Sequence, residues 1–187
     1  MKRLIVLFVL LISVSFCNEV FAQKVSVSTN LVDYANLGTI NGEVGVSVAQ
    51  HWTIHGGAKY NSWRFEEGTP DAYQNNKRTF YLGPKFWFWH AYSGWWISAQ
   101  AQYQEYNHGG WIFGEKKEEG DAWGLGLSAG YTLMLSSWFN LDFGIGGWGG
   151  YTNYVTYACP ECGRITDKGY KYFFLPNSLM MSAVFVF

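Results

Sequence analysis

Charge is scarce in this sequence, and so are long apolar runs beyond its first residues. Asp, Glu, Lys and Arg make up 14% of the 187 residues, against about 25% in ordinary soluble domains. The formal net charge of −1 lacks the basic excess of nucleic-acid-binding proteins, so we expect no nucleic-acid partner. No apolar stretch of helical spanning length follows the N-terminal segment. A membrane-spanning form of this chain would therefore be a closed β-barrel.

Cysteine is also scarce, with three residues in all. Cys159 and Cys162 form the one spacing motif of note, which resembles half a zinc ribbon; a tetrahedral site would need further ligands such as His108, Glu115 and Glu118. A redox-active pair would need a βαβ context, which is missing. In an oxidising compartment we expect a local disulfide, with free thiols as the alternative. We expect no metal and no cofactor.

The N-terminus has the pattern of an export signal. A basic start at Lys2 and Arg3 precedes an apolar run that is too short to span a membrane as a helix. We predict a signal peptide over residues 1–22 that is cleaved before Gln23. A lipoprotein would use Cys17, but the bulky Phe16 stands where such sites need a small residue. Residues 23–187 then form one domain.

Aromatic residues and glycine are abundant, and apolar residues alternate with polar ones over most of the domain. Aromatics reach 20% of the chain and glycines number 22. The final segment shows the period of two: Leu179, Met181, Ala183, Phe185 and Phe187 fall on one face. An apolar strand ending in Phe is typical of the C-terminal insertion signal of outer-membrane barrels.

This alternation predicts an all-β fold: a single up-and-down antiparallel transmembrane β-barrel of about eight strands. We expect a turn with positive φ at Gly38 and a β-bulge at Gly83 and Pro84. Three tight turns then lie at the periplasmic end, and the long loops 66–77, 108–121 and the one with the Cys pair lie outside. The strands are predicted at about 24–34, 39–49, 52–63, 78–89, 95–107, 122–135, 138–157 and 179–187.

Aromatic residues are predicted to lie at two levels, as in the two girdles that flank the apolar band of such barrels. The set next to the tight turns is Trp52, Phe88, Trp95, Trp138, Phe139 and Phe187, and the opposite set is Tyr60, Phe80, Tyr103, Trp123 and Tyr151.

The inward face of the predicted barrel carries charge. We expect Glu43, Lys59, Lys85 and Asp142 to form an ion-pair cluster, with Glu43 and Lys59 facing each other across the second hairpin. Eight strands leave room only for side chains in the lumen. The bulky inward residues predict a plugged lumen rather than a pore; they are Trp87, Trp148, Val184 and Val186.

An enzyme would need a histidine paired with a serine or carboxylate at the outer rim. Only His108 is predicted there, with Glu105, Glu115 and Asp121 nearby in sequence. A single histidine in a polar loop is usually solvated, so we predict no catalytic site. Lipid A modification remains an alternative.

Three segments carry a family resemblance: Thr29-Asn30-Leu31-Val32-Asp33-Tyr34, Asn41-Gly42-Glu43-Val44-Gly45 and Ala58-Lys59-Tyr60-Asn61-Ser62-Trp63. The chain resembles an uncharacterised family of outer-membrane barrels from the Bacteroidota, a domain of unknown function. Val32 and Ser62 stand where that family usually has Leu and Pro. The resemblance implies an envelope barrel and no particular substrate.

Together these patterns predict a bacterial outer-membrane protein of structural or surface-interaction type. Its partners would be outer-membrane lipid, the barrel-assembly machinery during insertion, and surface or envelope proteins that contact its loops. The alternative from another class is a soluble, lipocalin-like barrel that binds a small molecule or lipid. Such a barrel turns its apolar face inward, and alternation by itself does not say which face is which.

Overall fold

The computed structural model describes residues 25–35, 38–65, 73–110, 114–158 and 164–187. The predicted signal peptide and the Cys159–Cys162 pair lie outside these ranges. In chain order the elements are β1 (Val25–Asn30), α1 (Leu31–Ala35), β2 (Ile40–Ala49), β3 (Trp52–Phe65), β4 (Tyr73–Trp87), β5 (Gly94–Gly110), β6 (Gly114–Met134), β7 (Phe139–Tyr157) and β8 (Ile165–Val186).

The eight strands form one closed antiparallel barrel in which each strand pairs with its neighbours in sequence. β1 and β8 close it: the Val25 amide donates to the Phe187 carbonyl at 3.2 Å, and the Phe187 amide donates to the Val25 carbonyl at 2.8 Å. The predicted all-β barrel is confirmed. So is the positive φ of Gly38, which is 71°.

The apolar side chains of the strands point outward. In β6, Leu125 and Leu127 are 72% and 70% exposed, whereas the residues between and beside them, such as Gly126 and Ser128, face the lumen. Exposed aromatic side chains lie near both ends of this apolar surface. They are Trp52, Phe88, Trp95, Trp138 and Phe187 at one end and Tyr60, Phe80, Trp123 and Tyr151 at the other.

The strands are longer than predicted at the end that holds the long loops. Residues 73–77 and 114–121, predicted as loop, belong to β4 and β6, and β8 begins at Ile165 rather than near Leu179. The residues that extend β4 and β6 are mostly polar, so they carry no apolar alternation. The extension of β8 includes exposed aromatic residues such as Tyr170 and Tyr172. Backbone hydrogen bonds form the ladder there, and they do not depend on side-chain hydropathy.

The first predicted strand is wrong in its second half, because the chain turns into α1 after Asn30. The Asn30 side-chain oxygen accepts the Val32 amide at 3.2 Å, which is the hydrogen bond of a helix N-cap. The Tyr34 carbonyl then accepts the Gly38 amide at 2.7 Å. The helix ends after one turn, and β2 follows.

The predicted bulge at Gly83 and Pro84 is also wrong. The register of β3 with β4 runs through both residues, and β4 resumes its register with β5 after them. A Cβ atom at Gly83 would overlap the Ala99 carbonyl, so glycine lets the two backbones approach closely. Pro84 therefore interrupts the pairing with β5 without inserting a residue.

A bulge occurs instead in β8. Gly146 pairs with Ser178, whereas Trp148 pairs with Leu175, so two β8 residues stand opposite Gly147. Because an extra residue reverses the alternation, the outward residues of β8 change from odd to even numbers. They are Leu179, Met181 and Phe185 on one side of the bulge and Tyr170, Tyr172 and Phe174 on the other.

Candidate functional site in the barrel lumen

An apolar plug closes the lumen at the end with the short turns. Trp87 and Trp96 are 2% and 1% exposed, and they pack with Tyr92, Val184 and Val186. The predicted inward position of the two valines is confirmed. Tyr92 lies in the β4–β5 turn with a φ of 66°, and its ring packs in the plug. Its backbone carbonyl accepts a hydrogen bond from the side-chain amide of Asn140 at 3.0 Å.

A charged cluster lies directly above this plug. The Lys85 Nζ atom is 3.3 Å from Asp142 Oδ2 and 3.8 Å from Glu43 Oε1. The Trp96 indole and the Thr132 hydroxyl both donate to Asp142, and the Tyr81 hydroxyl donates to Glu43 at 3.0 Å. Lys85 also lies 4.3 Å from the centre of the Trp96 ring, within cation–π range. Each buried charge thus has polar partners, as burial requires.

Lys59 does not face Glu43, and that prediction is wrong. Glu43 pairs with Gly57, and Lys59 pairs with Asn41. The register shifts between Ser47 and Ala49, next to the hairpin turn. Lys59 instead forms a 2.7 Å ion pair with Asp33 of α1. The alternation along the strands correctly placed the four predicted charged residues on the inward face. It missed Asp33, because that residue was assigned to the first strand rather than to α1.

Above the charged cluster lies a polar chamber of about 170 Å³. His55 and Asn61 line it and are each 3% exposed. Neither His55 Nδ1 nor Asn61 Oδ1 has a hydrogen-bond partner among the described residues. The remaining wall includes Gln100, Gln102, Gln104, Thr79 and Ser98. Amide, hydroxyl and imidazole groups of this kind hold water in a polar cavity.

A second apolar cluster and a polar network occupy the other mouth of the barrel. Trp148 is 3% exposed and packs against Phe173 with ring centres 4.5 Å apart. Beside them, the Tyr106 hydroxyl donates to Glu118 at 2.9 Å, and Lys171 donates to both Glu118 oxygens at 2.7 and 2.9 Å. The lumen is therefore packed at two levels, with the polar chamber between them.

His108 belongs to this mouth network. Its ring stacks on Tyr106 with centres 5.1 Å apart, and Glu118 is its partner in the β5–β6 ladder. Burial lowers the pKa of His108, and the charge of Glu118 offsets part of that change. Burial raises the pKa of Glu118, but hydrogen bonds from Lys171 and Tyr106 outweigh it, so the net pKa lies below the ordinary value.

Two carboxylates predicted near His108 do not join it in this network. Glu105 and Asp121 are on the outward face, where both accept the Tyr103 hydroxyl at 3.0 and 3.2 Å. The side chain of Glu115 lies outside the described residues. The hydroxyl of Thr152, a candidate nucleophile in the network, donates to the Tyr106 hydroxyl at 3.1 Å. Within the described ranges, no group of three His, Cys, Asp or Glu residues could hold a metal ion.

A network around Asn30 and Asn41 was not anticipated from the sequence. The Asn41 side chain accepts the Asn30 amide at 2.6 Å and donates to the Asn30 carbonyl at 2.9 Å, as a backbone ladder would. The side chain of Asn30 in turn donates to the Leu179 carbonyl at 3.2 Å and accepts the Met181 backbone amide at 3.0 Å. Both asparagines lie in the segments that carry the family resemblance. This position was the one feature of the sequence that pointed to them.

In the part of the chain that the structure describes, no helix has the length and apolar character to cross a membrane. The model of the family described as "Protein of unknown function (DUF3575)" matches residues 5–187. No curated protein matches the chain.

Proposed function

The chain belongs to this family of unknown function, and from that premise we propose that it is an outer-membrane β-barrel of structural or surface-interaction type. Its lumen is plugged, it performs no catalysis, and it resides in the outer membrane of a member of the Bacteroidota after removal of residues 1–22. Outer-membrane lipid surrounds it, the barrel-assembly machinery inserts it, and its outer parts contact surface or envelope proteins.

The observation that carries this proposal is the orientation of the two faces. Large apolar side chains such as Leu82, Leu125 and Ile145 point outward and are 62%, 72% and 69% exposed. Charged and amide side chains such as Lys85, Asp142 and Gln100 point inward. This is the arrangement of a barrel in lipid, and it is the reverse of a lipocalin-like carrier, which keeps its apolar face inside.

The packed lumen supports a role other than conduction. An ion would have to pass the Trp87–Trp96 plug at one end and the Trp148–Phe173 pair at the other. The elongated outer strands, in contrast, present a large surface beyond the aromatic levels that combines polar residues with the exposed aromatic residues of β8. Contact with other molecules is therefore proposed for the outer surface and not for the lumen.

Catalysis by His108 is the weaker candidate. The residues around it hydrogen-bond one another, and Thr152 directs its hydroxyl to Tyr106. If the protein modified lipid A, deletion of its gene would change the mass of lipid A, and a His108→Ala variant would fail to restore it. We expect neither effect.

Gel migration and fractionation test the proposal. We expect the folded protein to enter lipid vesicles, to resist carbonate extraction, and to migrate differently in unheated and boiled samples. Terminal sequencing of the membrane-derived protein should begin at Gln23. A soluble periplasmic pool whose migration does not change on boiling would contradict the proposal.

A further inference from the structure

The outer half of β8 has an open edge. The last residue pair between β1 and β8 joins Asn30 to Ser182, whereas the pairing of β8 with β7 continues to Ile165. The Asn30 side chain donates to the Leu179 carbonyl and accepts the Met181 backbone amide, and α1 also contacts β8. Within the described chain, no strand lies beside residues 165–175 on the β1 side.

The backbone groups of this edge can be assigned from the ladder. The Val186 amide donates to the Trp138 carbonyl, so even-numbered residues point toward β7 below the bulge. Because the bulge reverses the alternation, odd-numbered residues point toward β7 above it. The residues that direct their amide and carbonyl groups to the open side are Lys168, Tyr170, Tyr172 and Phe174.

The side chains along this edge are unusually exposed. Tyr170, Tyr172 and Phe174 are 71%, 80% and 73% exposed, against 46% for Tyr151 and 50% for Trp123 at the outer aromatic level. Tyr172 pairs with Tyr151, so the strand continues from that level toward Ile165 for about 23 Å at ~3.3 Å per residue. An exposed strand edge of this length that carries three aromatic side chains is a template for strand pairing.

We propose that the β8 edge, residues 165–175, docks an extended polypeptide segment of another protein by β-strand addition. The inference rests on the proposed function, because the proposed function places this edge outside the membrane. The inference adds the kind of surface partner that would bind there. Backbone hydrogen bonds supply the attraction, and the alternate side chains of the edge select the sequence.

The charges of the edge define the chemistry of that segment. Asp167 accepts the Tyr154 hydroxyl at 3.0 Å, and Lys171 is bound to Glu118, so both are committed to the mouth of the barrel. Arg164 and Lys168 are exposed, and no carboxylate of the described residues pairs with them. An acidic segment with alternating apolar residues complements these cations and the three aromatic rings.

A second copy of the chain in the same membrane does not fit this edge. Antiparallel pairing of two β8 edges requires a two-fold axis perpendicular to the barrel wall, which would invert one barrel relative to the membrane. A two-fold axis along the membrane normal would set the strands parallel with identical residues opposite each other. The slanted hydrogen bonds of a parallel pair do not form in that register. The edge is therefore suited to a different chain.

The test uses the full chain in lipid nanodiscs and a nine-residue peptide of alternating glutamate and valine. Residue-resolved amide exchange should show that the amides of Lys168, Tyr170 and Tyr172 exchange at least about tenfold faster than those of their odd-numbered neighbours. The peptide should bind and slow exchange at these edge amides only. The same peptide with proline at alternate positions, and a lysine–valine peptide, should bind at least about tenfold more weakly.

Matched variants separate the backbone from the side chain. Tyr170→Pro removes an edge amide without touching the β7 ladder, since edge strands tolerate proline on their open side; Tyr170→Ala keeps the amide. We expect the proline variant to lose peptide binding and the alanine variant to retain part of it. Lys168→Glu should weaken binding at least about tenfold.

Several results would overturn the inference. They are slow exchange of the edge amides without peptide, equal binding of the proline peptide, no binding of the glutamate peptide at about 1 mM, and clustering of vesicles through copy-to-copy pairing. If the protein is heat-modifiable and inserts into vesicles while any of these occurs, only the docking strand is wrong. Failure to insert contradicts the proposed function itself.

Discussion

Lys85 of β4 and Asp142 of β7 meet across the barrel interior, with Nζ 3.3 Å from Oδ2. They are 57 residues apart in the sequence, and both are buried. Removal of one member of a buried pair costs about 3–5 kcal/mol, because the other charge is left without compensation. Lys85→Met should therefore lower the free energy of unfolding by about that amount, measured by urea unfolding in vesicles. Lys168→Met, on the exposed edge, is the control and should change it by less than about 0.5 kcal/mol.

If Lys85→Met costs no more than Lys168→Met, the pair does not stabilise the barrel. Asp142→Asn should be milder than Lys85→Met, because the amide oxygen can still accept the Trp96 indole.

The close approach of β4 and β5 at Gly83 predicts that a larger residue at this position lowers the stability of the barrel. A Cβ atom there would overlap the Ala99 carbonyl, whereas a Cβ atom at Gly42 would meet nothing within 4 Å. Gly83→Ala should destabilise the barrel by about 1–3 kcal/mol through backbone displacement. Gly42→Ala should be neutral or slightly stabilising, because alanine reduces the freedom of the unfolded chain. Equal effects of the two variants in urea unfolding would refute this account of Gly83.

The Asn30 side chain joins three elements, so its truncation should loosen the junction of β1, α1 and β8. Asn30→Ala leaves the Leu179 carbonyl and the Met181 amide without their partners, at a cost of about 1–3 kcal/mol. Asn30→Asp keeps the acceptor for Met181 and for the helix cap, so it should cost less. Amide exchange at Met181 should accelerate in the alanine variant only; acceleration in both would show that the acceptor is not what protects this amide.

Acid should destabilise the barrel mouth that holds His108 and Glu118 in two steps. The pKa of His108 lies below its ordinary 6.5 because of burial, and that of Glu118 lies below 4.5 because the hydrogen bonds from Lys171 and Tyr106 outweigh burial. Both groups bind protons less readily in the folded chain. Stability of the mouth therefore falls as the pH drops below about 6.5, and falls again below about 4.5.

Amide exchange of residues 117–121, corrected for the intrinsic effect of pH, measures both steps. His108→Gln should remove the first step and Glu118→Gln the second. Protection that is independent of pH between 7.5 and 4 would contradict this assignment.

The outward leucines give a test of the lipid environment by position. Leu127 is 70% exposed near the middle of the apolar surface, and Leu135 is 55% exposed beside the β6–β7 turn. In a bilayer, Leu127→Arg should cost about 2–4 kcal/mol and Leu135→Arg about 0–1 kcal/mol. In a water-soluble barrel both variants would be nearly neutral, so equal small effects would count against membrane insertion.

Much of the barrel was predictable because its signal is local. The period-two pattern of residues such as Leu125, Leu127 and Ala129 identifies a strand and its two faces without knowledge of any partner. The same pattern failed at Leu31–Ala35, where an asparagine cap and one helical turn interrupt the alternation. It failed again in residues 114–121, whose sequence is mostly polar, and in residues 165–178, where the bulge reverses the alternation.

Alternation along the chain was enough to predict the all-β barrel and the positions of its aromatic residues, because the pleat sends alternate side chains to opposite faces whatever the neighbouring strand is. Which charges meet depends on how the elements are placed in three dimensions. The turn of the chain into α1 brings Asp33 to Lys59, and the stagger of the strands places Lys85 between Glu43 and Asp142. The tertiary structure also decided that β8 extends far beyond β1. Beyond Ser182, residues of β8 form backbone hydrogen bonds to β7 alone, because β1 ends at Asn30. The difference in length between two neighbouring strands cannot be read from the residues of either strand by itself.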